Sequence, residues 1–211
     1  MTTNNFKPIL FSTEMVQAIL AGRKTQTRRI IKPQPSYLPY TDSTEGHENT
    51  LKTYINVGLS NGAITAKLKI GDILWVRETF CPFGYDFIHK ANPLAADLDV
   101  KWKPSLFMPK KAARIFLKVT NVRCEKLQDI SEEDAIAEGI YAEPGTVSGI
   151  TWYQKFIKES EARSDGLFTE SAKECFQTLW QSINAKKHPW ESNPWVWAYD
   201  FERIEKPANF I

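Results

Sequence analysis

The sequence predicts an α+β fold in which a small, mainly antiparallel β-barrel is decorated with helices. Three observations support this prediction. The 211-residue chain is 42% hydrophobic and 25% charged, which suits one globular domain. Some segments alternate apolar and polar residues with the period of a strand, whereas others repeat with the period of a helix. The two kinds of segment are mixed without the regular strand–helix–strand alternation that builds a parallel sheet.

Each element is predicted from its period and from the residues at its ends. The predicted helices are 13–21, 132–138, 151–162 and 171–184, and the predicted strands are 73–79, 114–122 and 195–204. Ser131 and Ser171 are placed to cap the second and fourth helices, while Gly22 and Gly139 suit the ends of the first and second.

Alternation assigns faces to the strands. One face of the first strand carries Ile73, Trp75 and Arg77, and the inner face of the second carries Ile115, Leu117 and Val119. In the last strand one face carries Trp195, Trp197, Tyr199 and Phe201. We interpret this aromatic face as core rather than as a platform for stacking.

Three stretches interrupt these elements and are predicted to be insertions in a single domain, 1–211: about 32–70, 80–111 and 141–170. The first is rich in proline, serine, threonine, asparagine and glycine, and the second in aromatic residues and proline. The first is too long for an ordinary connection, so it is expected to be an insertion, a lid or a mobile loop. The sequence leaves the order of residues 35–65 open.

Several protein classes are excluded by composition. The sequence contains no run of about 18 apolar residues, which is the length needed to span a membrane. The opening residues also lack the pattern of a secretory signal. Three distant cysteines form no CxxC pair, and the three histidines have no ligand spacing, so no disulfide framework, metal site or cofactor is predicted. Reduced thiols predict a cytoplasmic location.

The net charge of +2 does not by itself indicate a nucleic-acid partner. Its distribution is uneven, however, because residues 1–34 carry six basic side chains against Glu14, and residues 125–143 carry seven acids against Lys126. This pattern fits either ordinary solvated faces or a positive cleft with an acidic element beside it.

Three residues are candidates for chemistry. Glu138 lies in the last turn of a predicted helix, where the helix dipole disfavours a carboxylate. Lys24 and Thr27 are three residues apart and can meet only if the chain turns between them. A lysine can act as base to a threonine nucleophile if its pKa falls toward neutrality, and the neighbouring arginines favour this. The alternative is an edge strand with solvated basic residues.

The order of several motifs resembles that of ASCH-domain proteins. The opening matches in PILF at 8–11 and ILAGRKTQTRR at 19–29, followed by GDILWVRE at 71–78, ARIFLKV at 113–119 and DAIAEG at 134–139. The block WKPSLFMP at 102–109 and the ending NPWVW at 193–197 are similar to those of longer members found in prophages and phages. Together these motifs comprise 49 of the 211 residues.

This resemblance implies a PUA-like β-barrel with a cleft for RNA or nucleosides. A bacterial branch of the family hydrolyses N4-acetylcytidine to cytidine and acetate. Its catalytic lysine matches Lys24, its nucleophilic threonine matches Thr27 and its glutamate matches Glu138. The implied mechanism uses Lys24 as base, Thr27 as nucleophile and Glu138 as the acid that protonates the leaving amine. An ionised Glu138 would weaken Lys24 as a base, and the sequence leaves this conflict open.

Four further residues are candidates for binding the substrate or a nucleic acid. Arg28 and Arg29 could contact phosphates, while Trp75 and Arg77 share a strand face and could stack on and hydrogen-bond a base. The alternative places Trp75 in the core.

Three functions therefore remain in competition. The first is hydrolysis of N4-acetylcytidine or a related acylated nucleoside, and the second is non-catalytic binding of RNA. The third is a phage-linked interaction protein whose insertions bind another protein. Glu138 favours the first over the second, because a carboxylate would repel a phosphate.

Overall fold

The computed structural model describes residues 6–35, 40–42, 52–57, 60–95, 98–143, 151–154 and 168–210. It is an α+β structure organised around one mixed sheet of five strands. None of the helices in these ranges has the length and apolar character needed to cross a membrane.

The principal sheet has the strand order β1-β6-β9-β13-β2. Its strands are β1 (Phe6–Leu10), β2 (Gln26–Ile30), β6 (Ile73–Arg77), β9 (Phe116–Lys126) and β13 (Trp195–Ile204). Strands β1 and β6 are parallel, and the other three pairings are antiparallel. The predicted antiparallel character is therefore confirmed for most of the sheet.

The sheet is open, with β1 and β2 at its edges. The two edges approach each other at one point, where an Nη atom of Arg29 donates a hydrogen bond of 2.9 Å to the Leu10 carbonyl. No β-pairing between β1 and β2 is found in the described residues, so a closed barrel is not established.

The described helices are α1 (Thr13–Leu20), α2 (Glu132–Ala137) and α3 (Ala172–Asn184). Each begins after a serine, Ser12, Ser131 or Ser171, whose hydroxyl accepts a hydrogen bond from the backbone N–H three residues later. This is the expected N-cap geometry, and it explains why the helix starts were predictable. Short 3₁₀ turns occupy Pro93–Ala95, Ser105–Phe107, Lys110–Ala112, Leu127–Asp129 and Trp190–Ser192.

The predicted strand faces are confirmed by the core. Leu74, Val76, Leu117 and Val119 join the aromatic residues of β13 in one buried cluster, whereas Trp75 packs in a separate cluster on the other face of β6. A third cluster joins α2 and α3 to the sheet. The aromatic face of β13 is mostly core, since Trp197, Tyr199 and Phe201 are all buried.

The three predicted insertions contain more regular structure than their composition indicated. The first forms the three-stranded sheet β3 (Tyr40–Asp42), β4 (Lys52–Val57) and β5 (Ser60–Thr65), which the sequence did not predict. The second contains the hairpin β7 (Phe80–Phe83) and β8 (Asp86–His89). The third contains β10 (Ala142–Glu143), β11 (Trp152–Gln154) and β12 (Phe168–Thr169).

The predicted helix 151–162 is wrong at its start. Residues Trp152–Gln154 form β11, in which Tyr153 pairs with both Ala142 and Thr169 and is buried. Pairing on both sides satisfies the backbone of this segment, so tertiary contacts override the helical spacing of its aromatic residues. Residues 155–162 lie outside the described residues.

Candidate functional site

The candidate site is built around β2, an edge strand that follows α1. In its antiparallel register with β13, Thr27 pairs with Tyr199 and Arg29 with Trp197, so these four side chains share a face. Arg28 pairs with Ala198 and points to the opposite face. The strand therefore directs Thr27 and Arg28 into different surroundings.

Lys24 and Glu138 meet just before the start of this strand, where their backbones form an isolated antiparallel bridge. The Lys24 ammonium lies 2.7 Å from the Glu138 Oε2 atom. Its Nζ atom also donates to the Glu138 carbonyl at 2.8 Å and to the Gln26 carbonyl at 2.8 Å. The pair is almost completely buried, because the side chains are only 1% and 5% exposed.

Two glycines bring these residues together. Gly22 ends α1 with φ +73°, and the N–H groups of Arg23 and Lys24 then both donate to the Ala18 carbonyl. Gly139 follows Glu138 with φ +97°, and a Cβ atom there would lie 2.9 Å from the Lys24 Cβ. The glycine thus serves two purposes, since it allows the left-handed backbone and leaves room for Lys24.

The charge of Lys24 is under opposing influences. Burial lowers its pKa below the ordinary value, and the nearby Arg29 and Arg28 act in the same direction. The charge of Glu138 and the hydrogen bond to it oppose this effect. Burial is the largest of these influences, so the pKa of Lys24 remains below its ordinary value.

Arg28 lies in a buried ion network rather than on a surface. Its guanidinium contacts Glu125 at 2.7 Å, Asp134 at 2.7 Å and the Glu138 Oε1 atom at 3.2 Å, and its side chain is 1% exposed. It also donates to the Gln26 side-chain oxygen. With three carboxylates around it, Arg28 is not positioned to contact a phosphate, which corrects that expectation.

The network extends across the same face of the sheet through Arg123. This guanidinium pairs with Asp134 at 3.0 Å and with Asp200 at 2.7 Å. Burial acts to raise the pKa of Asp134, but a hydrogen bond from Gln26 and the charges of Arg28 and Arg123 outweigh it and lower that pKa. Glu138 is therefore held at one end of a network that reaches into the middle of β13.

A cavity of about 1140 Å³, which we call the edge cavity, opens beside β2. Its walls come from β1, β2 and β13, from the end of β5 with Lys67 and Leu68, and from α3 with the segment that follows it. Thr27 and Glu138 both line it, but Lys24 is not among the described residues that do so. Of the described residues in this lining, Glu138 is the one acidic side chain, whereas the basic ones are Arg28, Arg29, Lys32, Lys67, Lys186 and Lys187.

Arg29 is the member of the predicted arginine pair that faces this cavity. It is exposed, and its guanidinium lies 5.5 Å above the ring of Phe11 while it bonds the Leu10 carbonyl. It is thus held in place by two contacts and keeps its charge available to a ligand.

Trp75 and Arg77 lie elsewhere. Trp75 is 8% exposed and packs with Phe116 and Phe210, and the Arg77 guanidinium lies 5.6 Å from the Trp75 ring centre and donates to the Leu106 carbonyl. Neither residue lines the edge cavity. The alternative that placed Trp75 in the core agrees with its position.

Sequence reasoning missed the partners of this site. Gln26, Glu125, Asp134 and Asp200 support it from the far face of the sheet, and Lys186 and Lys187 contribute charge from the end of α3. One signal was present, because Asp200 interrupts the otherwise apolar run 195–201 of β13. The lysines carried no such signal, since their position depends on how α3 packs.

The comparisons with known proteins add no relative. No protein-family model, curated protein or solved structure matches this chain. Within the described ranges, no three histidine, cysteine, aspartate or glutamate side chains are grouped to hold a metal ion.

Proposed function

We propose that this protein is a hydrolase of N4-acetylcytidine or a related acylated nucleoside, built on an ASCH domain of PUA-like fold. The observation that carries the proposal is the buried Lys24–Glu138 pair, 2.7 Å apart, beside a cavity that Thr27 also lines. A hydroxyl, a carboxyl and an amine, drawn from two distant parts of the chain, are the groups needed for amide hydrolysis through an acyl-enzyme.

The charge beside the site supports a substrate that carries a carbonyl or phosphate group. A fixed guanidinium, Arg29, lines the cavity and stands on the same face of β2 as Thr27. A guanidinium in this position can donate hydrogen bonds to a carbonyl or a phosphate.

Formation of the acyl-enzyme requires two proton transfers. The oxygen of Thr27 attacks the acyl carbonyl as its proton leaves, and the departing amine of the base takes up a proton. Water then hydrolyses the acyl ester and releases the carboxylic acid. The Lys24–Glu138 pair supplies the titratable groups for both transfers.

Acetate release from N4-acetylcytidine tests this proposal directly. Turnover by the purified protein should fall to near background in Thr27→Ala, because the nucleophile is lost. Thr27→Ser keeps a hydroxyl and should retain part of the activity. Circular dichroism serves as the control that both variants fold. A wild-type protein that releases no acid from any acylated nucleoside would exclude the hydrolase.

A second candidate is binding of single-stranded nucleic acid without chemistry. Five basic side chains besides the buried Arg28 line the edge cavity, and its volume of about 1140 Å³ exceeds the roughly 300–1,000 Å³ of ordinary small-molecule sites. This candidate predicts salt-sensitive binding of an oligonucleotide that does not depend on the Thr27 hydroxyl.

A further inference from the structure

We propose that Glu138, rather than Lys24, is the group that exchanges protons with the nucleophile and the leaving amine, and that Lys24 is a positioning residue acting through Glu138. This inference rests on the proposed hydrolase function. It assigns the two proton transfers to one side chain of the buried pair.

Three hydrogen bonds occupy the Lys24 nitrogen. An amine nitrogen has four tetrahedral positions, and one is taken by its own Cε atom. The other three are directed at the Gln26 carbonyl, the Glu138 carbonyl and the Glu138 Oε2 atom, at 2.8, 2.8 and 2.7 Å. Whether the nitrogen is charged or neutral, no position remains to accept a proton from Thr27 unless one of these contacts breaks.

The Glu138 carboxyl group has more hydrogen-bond acceptor positions than Lys24 and Arg28 use. A carboxylate offers about four acceptor positions. Lys24 uses one on Oε2, and Arg28 uses one on Oε1 at 3.2 Å. Counting partners among the described residues, each oxygen therefore keeps a lone pair without a hydrogen bond, and Glu138 lines the edge cavity together with Thr27.

Three cations surround the Glu138 carboxyl group. Lys24, Arg28 and Arg29 face it from β2 and the preceding segment, and Asp134 faces the network from its own helix. Arg28 is itself balanced by Glu125 and Asp134. Lys24 makes the shorter of the two ion-pair contacts to Glu138, 2.7 Å against 3.2 Å for Arg28, and its contacts fix the orientation of the carboxyl group.

The proton balance is as follows. Glu138 accepts the Thr27 proton while the threonine oxygen bonds to the acyl carbon, and it gives this proton to the amine nitrogen as the carbon–nitrogen bond breaks. A water molecule then attacks the ester, its proton passes to Glu138, and Glu138 returns a proton to the Thr27 oxygen as the acid leaves. Lys24 keeps its three contacts throughout.

Chemical rescue separates the two assignments. In Glu138→Ala, added formate should restore activity on the order of tenfold or more, because a small carboxylate replaces the lost base. In Lys24→Ala, primary alkylamines of similar size should restore activity to an extent that does not depend on amine basicity. Rescue of Lys24→Ala that rises with amine basicity, together with no rescue of Glu138→Ala by formate, would overturn the proposal.

A second measurement needs no substrate. Trace labelling with acetic anhydride followed by mass spectrometry should modify Lys24 far more slowly than the half-exposed Lys118 between pH 6 and 9. Fast labelling of Lys24 in the folded protein would mean that its amine is open to the cavity and would also overturn the proposal. Because labelling reports on the amine alone, a wild-type protein without turnover would refute the hydrolase and still leave this result interpretable.

Discussion

Burying the Lys24–Glu138 ion pair costs desolvation free energy that the contact between the two charges offsets. Removing one partner of a buried ion pair leaves an uncompensated charge and costs about 3–5 kcal/mol. We therefore expect Lys24→Met and Glu138→Gln each to lower the free energy of unfolding substantially. The double variant should lose clearly less stability than the sum of the two single losses. It leaves neither a buried lysine charge without its carboxylate nor a buried carboxylate without its lysine. Urea denaturation of the four proteins measures this coupling, and simple additivity would contradict the contact.

Tyr199 gives the protein a pH dependence in the alkaline range. Burial raises its pKa to about 12 from the ordinary value of 10.0. The folded protein then holds a proton that the unfolded chain releases, so the stabilisation is fully present below pH 10 and is lost as the pH rises toward 12. The loss is roughly 2–3 kcal/mol. Tyr199→Phe should remove this component, and unfolding measured from pH 9 to 12 in both proteins isolates it from other groups. Parallel pH curves for the two proteins would contradict it.

At this scale the sequence was informative about unusual residues and silent about their partners. Glu138 attracted attention because a carboxylate at a helix C-terminus is disfavoured, and the structure places it 2.7 Å from Lys24. Arg28 and Arg29 look equivalent in the sequence, yet alternation along β2 buries the first among carboxylates and exposes the second. Whether Arg28 or Arg29 is the buried one depends on β13 and α2, and these elements lie more than a hundred residues away along the chain.

The turn after α2 links backbone geometry to the site. Gly139→Ala must strain a backbone at φ +97° and also place its methyl group against the Lys24 side chain. Gly71→Ala is a matched control, because Gly71 has φ +87° but no atom within 4 Å of a new Cβ. Both should lose about 1–2 kcal/mol to the left-handed backbone. Gly139→Ala should lose about 1–3 kcal/mol more from overpacking, and it alone should reduce turnover. Equal losses in the two variants would show that Lys24 is not crowded.

Elements with local signals were predicted well, and elements held by distant partners were not. The serine caps and the helical period located α1, α2 and α3 to within about one residue, and 195–204 was predicted with the bounds that β13 has. By contrast, β11 was predicted as helix because its pairing with β10 and β12 leaves no local mark. The strands β3 to β5 were missed for the same reason.

On the scale of the whole molecule, the second insertion contributes exposed apolar surface in addition to the core residues Phe80 and Met108. The five most exposed large apolar side chains in the described residues all belong to the second insertion: Tyr85, Leu94, Phe107, Phe83 and Leu106. The first insertion instead closes one wall of the edge cavity through Ile64 and Leu68. The first two insertions therefore contribute to two different surfaces, and only the surface of the first insertion borders the proposed site.

The basic lining of the edge cavity yields the prediction that separates a nucleic-acid ligand from a small nucleoside. Lys186 and Lys187 are exposed and line the cavity, whereas Lys118 and Lys206 are exposed and lie outside it. If a single strand follows this wall, replacing Lys186 and Lys187 with glutamine should reduce the slope of log affinity against log salt by about 1.4, because each phosphate contact contributes about 0.7. Replacing Lys118 and Lys206 with glutamine should leave the slope unchanged. Fluorescence anisotropy with a labelled oligonucleotide across a salt series gives both slopes. Equal slopes for the two double variants would assign the binding to nonspecific charge and leave the cavity to a nucleoside.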